Sequence, residues 1–184
     1  MRDRIFKALK NSSIVLSIAL AWLGVFNLNM WLFTSLHHSE RADWIFMPAA
    51  LRVLAVLIFG EIGAFGLAVG AYLTLSHAPV SHPAYEIALA ATSGAAPLLG
   101  LQVCRRIVPL GRDLSGLDPQ GIIILSIATA VANSLLLNAC LALSGKFDRD
   151  MIQLITIFVG DVVGAAIVLV TISTGIDIFH KFRQ

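Results

Sequence analysis

The chain has 184 residues, of which 58% are apolar and only 13% charged. An average soluble domain carries about 25% charged residues, so 13 basic and 11 acidic side chains cannot cover a globule of this size. Composition therefore excludes a soluble enzyme, a disordered chain and a nucleic-acid binder, and points to an integral membrane protein. A span takes ~20 apolar residues, which leaves room for six spans with short loops and for no soluble domain.

In chain order, residues 1–12 (MRDRIFKALKNS) are basic and weakly amphipathic, as expected of an interfacial anchor. A first span is expected over 13–35. It carries no formal charge and has no small-x-small cleavage site. The second segment, 44–59, has Pro48 near its start and Arg52 inside it. Gly60-Glu61-Ile62-Gly63 reads as a turn into a third segment, 62–76. Each arm reaches only about 24 Å, against a hydrocarbon core of about 30 Å. The two are either short spans or a re-entrant hairpin shielded by other helices. After the loop HAPVSHP, a fourth span is expected over 84–107, kinked at Pro97. The longest loop, 108–120, leads to a fifth span over 121–145. A charged turn and a sixth span, 151–179, follow. The expected fold is an all-α polytopic helical bundle of about six transmembrane segments, forming one domain over 1–184.

Orientation follows from Lys and Arg. With the N-terminus inside, Arg2, Arg4, Lys7, Lys10, Arg105, Arg106, Arg112, Lys181 and Arg183 are cytoplasmic, and Arg41, Lys146 and Arg149 lie outside. This positive-inside bias puts both termini in the cytoplasm of a bacterial cell, with the protein in its inner membrane.

Ionisable residues within spans are costly and mark function or pairing. Arg52 lies about 12 Å and Asp161 about 15 Å from the outer end of its segment, so the two sit at similar depth and should pair. Asn133, Thr92 and Ser93 fall at the same level, which predicts a polar layer of these five residues. It is either an ion pair that fixes helix register or a site for a small polar or anionic ligand recognised by Arg52. Gly160 and Gly164 bracket Asp161, and Gly66 and Gly70 repeat that spacing. Such pairs let helix backbones approach closely, within the chain or at a partner or second copy.

Other chemistry is poorly represented. His37, His38, His77 and His82 are weak metal candidates without a recognised ligand spacing, and no metal site is expected. Cys104 and Cys140 read as free packing residues. No nucleophile elbow, P-loop, metalloprotease or dinucleotide motif occurs, so neither enzyme activity nor a cofactor is expected.

The segment WIFMPAALRVLAVLIFGEIGAFGLAVGAYL, from Trp44, resembles the hallmark of the MASE-type (membrane-associated sensor) domains of bacterial signalling proteins. There, a Trp- and Pro-containing start precedes an apolar run, a Gly turn and a second helix. FVGDVVGAAIVLV resembles the segment that closes such domains, and ATSGAAPLLGLQVCRRI fits the helix between them. The resemblance covers roughly residues 40–175, with Pro48, Arg52, Gly60, Asp161 and Gly164 at the matching positions. Ala49-Ala50 stands where the family has Gly, and no kinase or cyclic-dinucleotide output domain is expected. The resemblance implies a non-enzymatic sensor module that binds a small ligand, docks on a partner membrane protein, or both. Architecture alone would also suit an accessory or assembly subunit of a respiratory or photosynthetic complex. It would suit a small-solute transporter component too, such as the S-component of an energy-coupling-factor transporter.

Overall fold

Proline opens three of the helices, at Pro48, Pro83 and Pro119. The first helical position suits it, because the amide it lacks would have no intrahelical partner there. The computed structural model describes residues 2–33, 37–39, 42–75, 83–107, 119–145 and 151–182. Among these stand five helices: α1 (Arg2–Phe33), α2 (Pro48–Leu75), α3 (Pro83–Ile107), α4 (Pro119–Leu143) and α5 (Met151–Phe182). Between α1 and α2, β1 (His37–Ser39) pairs antiparallel with β2 (Ala42–Asp43). By residue count and composition all five are long and apolar enough to cross a membrane, although α2 is not straight.

Residues 2–12 run without a break into α1 as its first turns. The expected second and third segments are the two arms of α2, joined without a loop, so the described residues give five helical elements where about six segments were expected. The physical reason lies at Gly60, whose φ of 56° and ψ of −131° are open to glycine and strained for other residues. On a straight helix, residues 52 and 70 would stand about 27 Å apart. Both instead flank Trp22. The Arg52 guanidinium carbon lies 5.3 Å from the Trp22 ring centre, and a methyl group on Gly70 would come within 2.7 Å of Trp22 Cβ. Gly63 is packed directly on the carbonyl of Ala55. The helix therefore folds back at a single residue, without a loop. Its descending arm (48–59) and ascending arm (61–75) reach about 18 and 22 Å, each short of a ~30 Å core.

Packing runs α1 on α2, α2 on α3, α3 on α4, and α5 on both α4 and α2. Small residues fill the contacts: Ala50, Ala55, Ala90 and Ala96 are buried, as expected where helices associate through close backbone approach. Many large apolar side chains point outward, with Leu143 90%, Trp31 77% and Phe65 63% exposed. Such a surface would be insoluble in water and is at home in lipid. Hydroxyls deep in the helices return their protons to their own backbone, Ser126 to the Ile122 carbonyl at 2.9 Å and Thr156 to that of Ile152 at 2.8 Å. The Cys104 thiol reaches the Gly121 carbonyl at 3.7 Å and ties α3 to α4. Cys104 and Cys140 are both free.

Candidate functional site

The start of α2 is closed by bonds to the residues before it, the Ala49 and Ala50 N–H groups donating to the Phe46 and Met47 carbonyls at 3.1 Å. The Met47 N–H is met from another helix and donates to Asn29 Oδ1 of α1 at 2.8 Å. Another contact comes from α5, where the Gly160 carbonyl accepts the Phe46 N–H at 3.0 Å. This approach is possible because Gly160 and Gly164 have no side chains. A Cβ on Gly160 would collide with the Asp43 carbonyl, and one on Gly164 with the Phe46 carbonyl and, at 2.7 Å, with Met47 N. Backbone thus packs on backbone, and α5 is pinned beside the start of α2.

That pinning carries Asp161 to Arg52. Arg52 Nη1 donates to both carboxylate oxygens of Asp161, each at 2.9 Å, and the side chains are only 6% and 4% exposed. Asn133 Nδ2 on α4 donates to Asp161 Oδ2 at 2.6 Å. Three helices therefore converge on one buried carboxylate. Its negative charge is offset by a guanidinium and an amide dipole, and such charge-assisted bonds are stronger than neutral ones. The guanidinium is also enclosed by π faces, with Trp22 5.3 Å and Phe46 5.0 Å from Arg52 Cζ. The two rings meet edge to face at 6.1 Å. Trp22 is itself held by a 3.4 Å bond from its Nε1 to Thr74 Oγ1 on the ascending arm. Arg52 Nε and Asn29 Nδ2 are buried donors without an acceptor.

The structure thus brings together Arg52, Asp161 and Asn133. Thr92 and Ser93 are buried but take no part in the described bonds of this cluster. Thr92 Oγ1 donates to the Leu89 carbonyl of its own helix at 2.7 Å. The adjacent Gly94 sits against the Ala64 carbonyl, so this stretch of α3 faces the ascending arm and not α5. Gly66 and Gly70 pack on α1, where added methyl groups would meet Ile18 and Trp22 at 2.9 and 2.7 Å. Both glycine pairs are therefore occupied within the chain.

Among the described residues, no group of three or more His, Cys, Asp or Glu could hold a metal ion. His37 and His38 are placed by their backbone in β1. His77 and His82 lie outside the described residues, as do Arg41, Arg112, Lys146 and Arg149. Trp22, Phe46 and Asn29 are the site residues that sequence reasoning missed. An aromatic pair one contact away from an intramembrane Arg is a signal that could have suggested the first two.

The class that fold and site define is a multi-pass helical membrane protein built around a buried Arg–Asp–Asn cluster. No family model, curated protein or solved structure matches the chain.

Proposed function

We propose that this protein is a non-enzymatic MASE-like sensor or interaction module of the bacterial inner membrane, with both termini cytoplasmic. The observation that carries this reading is convergence. Four of the five positions at which the sequence resembles the family, Pro48, Arg52, Asp161 and Gly164 (Gly60 is the fifth), lie more than a hundred residues apart in two groups. They nonetheless meet at one place, where Gly164 packs on the strap before Pro48 and Asp161 bonds Arg52. The positive-inside count supports the orientation.

A buried ion pair is a poor source of net stability against an apolar replacement, but it fixes helix register. It is also a two-state element: a ligand or partner that competes for the guanidinium or the carboxylate releases α5 from α2. In this reading the Arg52–Asp161 pair couples the position of α5 to binding, and a partner membrane protein receives the signal.

The test is purification of the tagged full chain in mild detergent after cross-linking in membranes, with mass spectrometry of retained proteins and small molecules. The expected result is one membrane signalling protein at fixed stoichiometry from the wild type, and its loss from an Arg52→Gln variant that still folds. Retention of a redox complex would replace the sensor reading with that of an accessory subunit. Retention of an ATPase pair with its coupling subunit would replace it with that of a transporter component.

A further inference from the structure

A groove of about 510 Å³ runs between α1 and the ascending arm of α2, on a different face of that arm from the Gly94 contact with α3. Its walls are apolar, with Leu16, Phe65 and Leu73 along them. Its polar groups are gathered at one end, where Asn11, Ser12 and Glu61 stand. From Glu61 to Leu73 the groove follows twelve residues of helix, about 18 Å. That is slightly more than one leaflet of a ~30 Å hydrocarbon core. Leu16 is 60% and Phe65 63% exposed, so the walls face the surroundings of the bundle and not its interior.

The polar end has a charge pattern of its own. Glu61 is exposed, one residue beyond the Gly60 reversal. It has no hydrogen-bond or ion-pair partner among the described residues. Lys7 and Lys10 are exposed on α1, one turn before and immediately beside Asn11. Cation, neutral donors and anion are thus set out around the mouth of an apolar slot of leaflet length. We propose that the groove holds one acyl chain of a zwitterionic, amine-headed phospholipid from the leaflet at the N-terminal end of α1. The phosphate lies by Lys10, Asn11 and Ser12, and the ammonium group by Glu61. A phospholipid with an uncharged glycerol head matches the basic residues but offers nothing to the carboxylate. The occupant's identity is independent of the ion-pair cluster and of any sensor role.

The experiment uses the purified full chain and an equimolar mixture of dioleoyl phosphatidylethanolamine and dioleoyl phosphatidylglycerol, with bound lipid counted by native mass spectrometry. An exposed ion pair contributes up to about 1 kcal/mol, so the wild type should favour the ethanolamine lipid by about two- to fivefold. Glu61→Lys should reverse that preference. Leu16→Trp, which narrows the groove from a lipid-facing wall, should lower retention of both lipids with the melting midpoint unchanged. Equal retention of the two lipids by the wild type would overturn the headgroup assignment. Undiminished retention by a folded Leu16→Trp variant would overturn the groove as the site. Because Glu61 makes no described contact in the fold, its substitution tests recognition without testing folding.

Discussion

If Arg52 and Asp161 stabilise each other, removing both must be less harmful than the two single removals predict. The perturbation is the pair Arg52→Ala and Asp161→Ala with the double variant. Asp161→Ala leaves a buried guanidinium with no counter-charge, and breaking a buried pair from one side costs about 3–5 kcal/mol. Arg52→Ala leaves the carboxylate with the Asn133 bond alone. It also empties the space between Trp22 and Phe46, where each cation–π contact contributes about 0.5–2 kcal/mol. The arginine change should therefore be the more damaging, at about 4–9 kcal/mol. The double variant has no buried charge left to strand, and its loss should fall short of the sum by about 2–3 kcal/mol. The assay is reversible unfolding of the protein in mixed micelles by an anionic detergent, followed by far-ultraviolet circular dichroism. Tryptophan fluorescence alone would not serve, because Trp22 touches the mutated side chain. Losses that add to within about 0.5 kcal/mol would refute the coupling, and with it the view that α5 is held through this pair.

Other outcomes follow from the same geometry and can be measured in the same micelles. Asn133→Leu removes the third bond to Asp161 and should destabilise by about 1–3 kcal/mol, whereas Ser93→Ala should change stability by less than 1 kcal/mol. Gly60→Ala should cost about 1–3 kcal/mol from backbone strain alone, since a methyl group there would meet nothing within 4 Å. A loss much below 1 kcal/mol would show that the reversal is not held in a left-handed conformation. Gly164→Val should release α5 from the strap before α2, visible as faster proteolysis near Phe46, because the obstructing atoms are backbone and cannot rotate away. Asn29→Leu strands the Met47 amide and should destabilise by about 1–2 kcal/mol, while Asn29→Asp, which keeps an acceptor there, should restore the capping bond as read by hydrogen exchange at Met47.

Much of the fold is legible in one dimension. Hydropathy along the chain locates α3, α4 and α5 to within a few residues of the structure but misses the first turns of α1, and three prolines mark helix starts. Gly60 is visible as a turn signal. That the chain turns back there was legible; that it does so at one residue, with the helix running on at once on either side, was not, because a turn signal does not fix the backbone angles that a single glycine adopts. The polar layer was legible only in part. Arg52, Asp161 and Asn133 share a depth and do meet. Thr92 and Ser93 were expected at that depth too, but the Thr92–Gly94 stretch of α3 packs on the ascending arm.

Sequence by itself determined the environment and the depth of the charges. Both are sums along the chain: apolar surface that water cannot accept, and a rise of about 1.5 Å for every residue into a span. Only the tertiary structure decided which faces meet. In lipid a helix is apolar nearly all round, so no stripe in the sequence tells which side turns inward. Rotation about each axis is set by where backbones can approach. Here that means the bare faces of Gly160 and Gly164 against the strap at 43–47, and those of Gly66 and Gly70 against α1. Those contacts turn Asp161 toward Arg52 and place Arg52 between Trp22 and Phe46. The buried Arg52–Asp161 pair is thus positioned by residues with no charge.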